Sequence, residues 1–171
     1  MLQRPTAEEY NPYYGKYVEL VPEGNLLDIL ATQQDETTKK LTSLTEDQEN
    51  HRYAQGKWSV KEVLGHIIDT ERIMAYRLLR FARGDQSPLA GYEDESYVKE
   101  GLFHEREMAD LLKEYQAARA SSIALLRGIP AESWVRKGLA NNSECSARAL
   151  AYIIAGHELH HRSILADRYQ I

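Results

Sequence analysis

The chain has 171 residues, enough for one hydrophobic core and cramped for two. Apolar residues make up 43% and charged residues 27%, the profile of a globular protein in water, and no apolar run approaches the roughly 18 residues that a membrane span needs. The net charge is −5, with 21 Lys and Arg scattered among 26 Asp and Glu, so the surface repels phosphate backbones and nucleic acid is excluded as the expected partner.

The one cysteine, Cys145, cannot close an internal disulfide, which fits a reducing cytoplasm. It reads as a small, half-buried apolar filler rather than a nucleophile. The stretch MLQRPTAEEYNPYYGKY has no apolar run behind its basic residue and does not read as a signal peptide. Eleven tyrosines against two phenylalanines suit a partly wet pocket or an interface.

Helical periodicity dominates, and no run alternates like a half-buried strand. The first long helix is expected from about Asn25 to Leu44, with Leu26, Ile29, Leu30, Leu41 and Leu44 inward and Pro22 and Gly24 marking its start. The second opens on Ser59-Val60-Lys61-Glu62, a capping box, and runs to Gly84. Its broad apolar face carries Val60, Val63, Leu64, Ile67, Met74 and Leu78. A long acidic connection, residues 85–103, follows; connections of this length often form lids or rims. The third helix is expected from about Glu105 to Arg127, stopped by Gly128 and Pro130. The fourth starts at Asn142 or Ser143 and carries ARALAYIIAGHELHHRSILADRY. Four helices of about 20 residues predict an all-α four-helix bundle.

The fourth helix contains GHELHH, residues 156–161. His157 and His161 are one turn apart in the apolar stripe Leu150, Ile153, Ile154, His157, His161, Ile164, Leu165. Two buried imidazoles without a shared partner cost several kcal/mol of desolvation, and a metal ion that takes both lone pairs removes that cost. His160 and Glu158 are each rotated about 80° from the pair at 100° per residue. His160 therefore reads as a surface residue or as a support to the pair. Glu158 reads as an ordinary solvated helix residue, with a general-base role as its catalytic alternative.

HExxH is also the zinc-protease signature. That chemistry needs a third ligand downstream, and the continuation HRSILADRYQI supplies neither the glycine and histidine of one class nor the glutamate of the other. A di-iron carboxylate bundle needs two ExxH elements, and the second helix offers Glu62 and His66, one residue too far apart. The third ligand must come from upstream, where His66 is the best-placed helical histidine. His51 and His104 read as surface residues that could still approach from loops.

The segments GKWSVKEVLGHIIDTERIMAYRLLR, PLAGYEDESYV and ARALAYIIAGHELHHRSILADRY resemble the DinB/YfiT-like superfamily of metal-binding four-helix bundles. The likeness runs from about Leu26 to Tyr169 as one domain spanning 1–171. It implies one divalent ion, zinc or nickel, held by His66, His157 and His161 with positions open to water, and no member of the family motif is missing. It also implies chemistry on a small molecule: relatives transfer low-molecular-weight thiols such as bacillithiol or mycothiol, isomerise with a thiol cofactor, or are classed as metal-dependent hydrolases.

The expected function is metal-dependent transfer of a low-molecular-weight thiol to a small electrophile, the thiol being deprotonated by the dication. The alternative is a hydrolase that uses metal-bound water. A second alternative is a non-catalytic metal-binding bundle. Asp69, one turn from His66, and Glu158 are the candidate catalytic carboxylates. Asp69 has two other readings, as an acceptor for a ligand imidazole and as a surface partner of Arg72 or Arg77. Pairing through helix faces makes a homodimer the expected assembly.

Overall fold

The computed structural model describes residues 2–171. Its helices and strands are α1 (Gly15–Val18), α2 (Leu26–Thr42), α3 (Glu46–Asn50), α4 (Val60–Ala82), α5 (Asp94–Gly101), α6 (Met108–Arg127), β1 (Lys137–Ala140), β2 (Ser143–Ser146) and α7 (Ala147–Tyr169). The four long helices form the expected bundle. α4 packs against α6 and α7, and α2 closes the ring against the same two helices. Helices α2 and α4 are therefore diagonal, as are α6 and α7, so the links from α2 to α4 and from α6 to α7 cross the bundle.

Local chemistry explains where the helices begin. Asn25 accepts from the Leu27 amide at 3.0 Å and starts α2. Ser59 and Glu62 form the capping box of α4, with Glu62 Oε2 accepting the Ser59 amide at 2.6 Å. Ser146 caps α7 by accepting from Ala149 at 3.1 Å.

That last cap corrects the expectation of a start at Asn142 or Ser143. Residues 137–146 form an antiparallel hairpin that pairs Ala140 with Ser143. Asn141 and Asn142 both have positive φ, 49° and 59°, as a type I′ turn requires. Strands of four residues are too short to show alternation, so the Asn-Asn pair was the readable signal. A parallel bridge from Leu89 to Ala140 ties the long connection to this hairpin.

The connection is not bare loop, since Asp94–Gly101 is helical with Val98 buried. Leu102 then turns left-handed at φ 47° and Arg106 is extended. This break moves the start of α6 from the expected Glu105 to Met108. Two apolar clusters fill the bundle. One joins α1, α2, α4 and α7 around Leu30, Leu78, Phe81 and Ile153; the other joins α4 and α6 around Leu64, Ile68, Leu111 and Tyr115.

Candidate metal centre

His66 sits in the second turn of α4, and the Ser59 cap sets its angular position. His157 and His161 share one face of α7. The two helices bring all three rings together at the seam between the apolar clusters, each ring less than a tenth exposed. A glycine precedes a histidine on each helix. A Cβ at Gly65 would fall 2.2 Å from the Phe103 ring, and one at Gly156 would fall 1.9 Å from the Tyr17 carbonyl oxygen. These glycines let Phe103 and the α1 backbone close over the outer sides of the histidine helices.

The Nε2 atoms of His66 and His157 are 3.0 Å apart, and those of His161 and His157 are 3.2 Å apart. One nitrogen from each ring lies within 4.8 Å of the other two. Burial lowers the pKa of His157 well below the usual imidazole value, with the neighbouring imidazoles His161 and His66 adding to it. Burial pushes His161 down to about 3. It also lowers His66, against an opposing pull from Asp94. The rings are thus neutral at neutral pH, the state in which imidazole offers a lone pair.

This arrangement fits a metal ion. A tetrahedral ion with bonds of about 2.0–2.1 Å holds its nitrogen ligands roughly 3.3 Å apart, a few tenths of an ångström from the spacing seen. The Nε2 atoms of His66 and His161 both meet that of His157, and sharing protons cannot satisfy both contacts, because a neutral ring nitrogen has either one hydrogen or one lone pair. A cation among them takes three lone pairs at once. The rings are also held in orientation. Trp58 packs on His66 in a tilted arrangement at 4.8 Å, Tyr17 meets His157 edge-on at 5.4 Å, and Asp94 Oδ1 lies 3.9 Å from His66 Nδ1.

The other residues singled out from the sequence fall elsewhere. Glu158 is not solvated. It is fully buried on the adjoining face of α7, where Thr37 donates to Oε1 at 2.6 Å, Tyr115 donates to Oε1 at 2.8 Å, and Arg119 holds Oε2. Its angular offset from the histidines was read correctly, but α2 and α6 cover the face it occupies. Asp69 is half-buried, and burial raises its carboxyl pKa while Arg72 opposes the rise. Arg106 and Glu114 complete its surroundings, and it does not line the cavity beside the histidines. His160 packs on Tyr17 at 5.3 Å, and His51 and His104 are exposed, with His104 near Glu62. Cys145 is enclosed rather than half-buried, and burial pushes its thiol up to about 12.

A cavity of about 360 Å³ opens beside His157, walled by Tyr14, Tyr17 and Tyr92 with Met74 and Ile153. Burial raises the pKa of all three tyrosines, so their hydroxyls keep their protons. Asp94 also lines it. Asp94 and Tyr92 belong to the 85–103 connection, whose acidic, Tyr-rich sequence was the visible signal of their place at the site.

A family model for the DinB superfamily matches residues 29–165. No curated protein matches the sequence. Among solved structures, the chain is similar to YfiT from Bacillus subtilis, a probable metal-dependent hydrolase with an unusual four-helix bundle topology. The TM-score is 0.77 and the identity 14%, over 88% of this chain and 91% of YfiT. It is also similar to a mycothiol-dependent maleylpyruvate isomerase, with TM-score 0.64 and 12% identity over 86% of this chain and 62% of the isomerase. A DinB-like protein of Bacillus subtilis, YjoA, superposes with TM-score 0.62 and 16% identity over 86% of this chain and 90% of that one. At these identities the likeness establishes the fold.

Proposed function

The chain belongs to the DinB superfamily, and from that premise we propose that it is a metal-dependent enzyme acting on a small molecule. In this reading His66, His157 and His161 hold one divalent transition metal, zinc or nickel, and the reaction transfers a low-molecular-weight thiol to a small electrophile. The observation that carries it is the convergence of three buried imidazole nitrogens at the edge of a cavity.

When bound, the metal supplies Lewis acidity that makes a thiol or a water nucleophilic near neutral pH. The chain's own residues do the rest. Neutral histidines leave the dication's charge uncompensated, and three protein ligands leave room for a further one, unlike the closed four-ligand sites of structural zinc. Tyr17 and Trp58 fix two of the rings, and apolar Met74 and Ile153 exclude water from one wall. Cys145 is enclosed, with its thiol raised to about 12, so the nucleophile comes from outside the chain. A thiol cosubstrate meets that need, and the mycothiol dependence of the structurally similar isomerase supports it.

Hydrolysis is the second reading, favoured by the likeness to YfiT. The two separate in one assay. Metal-loaded protein is given bacillithiol with an aryl halide, or an activated ester alone. Thiol consumption without ester cleavage supports transfer, and the reverse supports hydrolysis.

The metal reading is tested first, by elemental analysis of wild type beside His66→Ala. One equivalent of a transition metal in wild type, lost in the variant, is expected. No metal in wild type after reconstitution overturns the reading, and full retention in His66→Ala removes His66 from the site.

A further inference from the structure

Among the described residues two arginines are buried, and the chain treats them differently. Arg119 is enclosed by two carboxylates, Glu71 and Glu158. Arg77, on α4, is only 3% exposed. Its contacts are a hydrogen bond to the Ala90 carbonyl at 2.8 Å, the Met74 sulfur at 3.8 Å, the face of the Tyr92 ring at 5.7 Å and the neighbouring Tyr14 hydroxyl, which burial keeps protonated. None of these is an anion, and among the described residues no carboxylate lies within ion-pair distance of it. Elsewhere Arg4, Arg52, Arg72, Arg80, Arg106, Arg148 and Arg162 are all paired with carboxylates, though more exposed. Burying a guanidinium without a counter-charge is costly, because the charge cannot be shed.

Arg77 lines the same cavity as His157. His66, Thr70, Met74 and Arg77 follow i, i+4, i+8, i+11 along one face of α4, so the arginine lies three turns beyond the histidine, roughly 16 Å along the axis at 1.5 Å per residue. Helical side chains lean toward the N-terminus, which brings the guanidinium back toward the histidines. Two fixed points therefore bound the cavity, His157 of the three-histidine cluster and the Arg77 cation. Tyr14 and Asn141 near the cationic end add hydrogen-bonding groups.

We propose that Arg77 is a substrate-binding residue, and that the small molecule taken by this cavity carries a carboxylate which pairs with Arg77 while its reacting group faces the histidines. This rests on the proposed function for the role of the histidine end; the anion site stands on the arginine alone. A planar guanidinium fork matches a carboxylate in two parallel hydrogen bonds. One cation, with Asp94 also on the lining, suits a monoanion better than a doubly charged phosphate.

The test is a titration followed by backbone amide NMR shifts, on metal-free and zinc-loaded protein. The probes are phenylbutyrate, its neutral primary amide and inorganic phosphate. Metal-free wild type is expected to bind the acid at least about tenfold tighter than the amide, with shifts at Thr70, Tyr92 and Asn141. Arg77→Met should abolish that preference while keeping its thermal midpoint, and Arg77→Lys should keep part of it. Equal binding of acid and amide by wild type overturns the proposal without any variant. So does no shift from millimolar acid, displacement of the acid by phosphate, or a preference that survives in Arg77→Met. An acid preference seen only with zinc places the carboxylate on the metal and also overturns it. Intact preference in a protein that takes up no metal breaks the metal reading alone.

Discussion

Two buried polar groups lie on adjoining faces of α7. On one face, Arg119 donates to Glu71, Glu158, the Leu30 carbonyl and Gln33, while Thr37 and Tyr115 donate to Glu158. This knot joins α2, α4, α6 and α7, and every member has its partner within the chain. On the other face, the Nε2 atoms of His66 and His161 both meet that of His157, and the pair of contacts has no such resolution. Both groups are buried. The difference is satisfaction: a network complete by itself is architecture, and a network that needs one more particle is a site.

The sharpest way to break the comparison is Arg119→Met. It strands Glu71 and Glu158 in the core, and a loss of about 3–5 kcal/mol is expected in urea denaturation. A loss below about 1 kcal/mol would show the knot to be inessential. The matching experiment on the histidine side is zinc addition. With free zinc at roughly a hundredfold its Kd, the ion should add about 3 kcal/mol to wild-type stability and nothing to His157→Ala. Equal stabilisation of both would mean the ion binds elsewhere. His51→Ala and His104→Ala should behave as wild type.

Gly156→Ala comes next. Its methyl meets the Tyr17 carbonyl, part of a rigid backbone, so a loss of about 1–3 kcal/mol is expected together with weaker metal uptake. Loss of stability with uptake unchanged would separate α1 from the site.

Acid distinguishes the two faces further. The folded histidines have pKa values depressed below 6.5, to about 3 for His161. Above about pH 6.5 neither folded nor unfolded chain protonates them, and their contribution is full. Below it the unfolded chain takes up protons that the fold refuses, so metal-free stability should fall as pH drops from about 6.5 toward 3, with a slope of up to ~3 protons. His157→Ala should lower that slope by about one proton. The smallest expected effect is Ser59→Ala, about 1 kcal/mol, from loss of the cap that sets the position of His66.

How much of this was legible varied with the kind of signal. The spacing of His157 and His161, the capping box at Ser59 and the apolar stripes are local, and the bundle followed from them. The hairpin at 137–146 was missed because four-residue strands do not alternate long enough to be counted, although Asn141-Asn142 marked its turn. Glu158 was placed at the right angle and given the wrong environment. Asp94, rather than Asp69, lies beside His66, because α5 folds back over the mouth of the site.

Periodicity and capping act through neighbours in the chain, so the sequence alone determined the helices, the paired histidines and the bundle they build. Burial and charge pairing depend on which elements cover a face. The tertiary structure alone decided that His66 meets the pair, that Glu158 answers Arg119, and that Arg77 is enclosed beside the cavity with its charge unmatched.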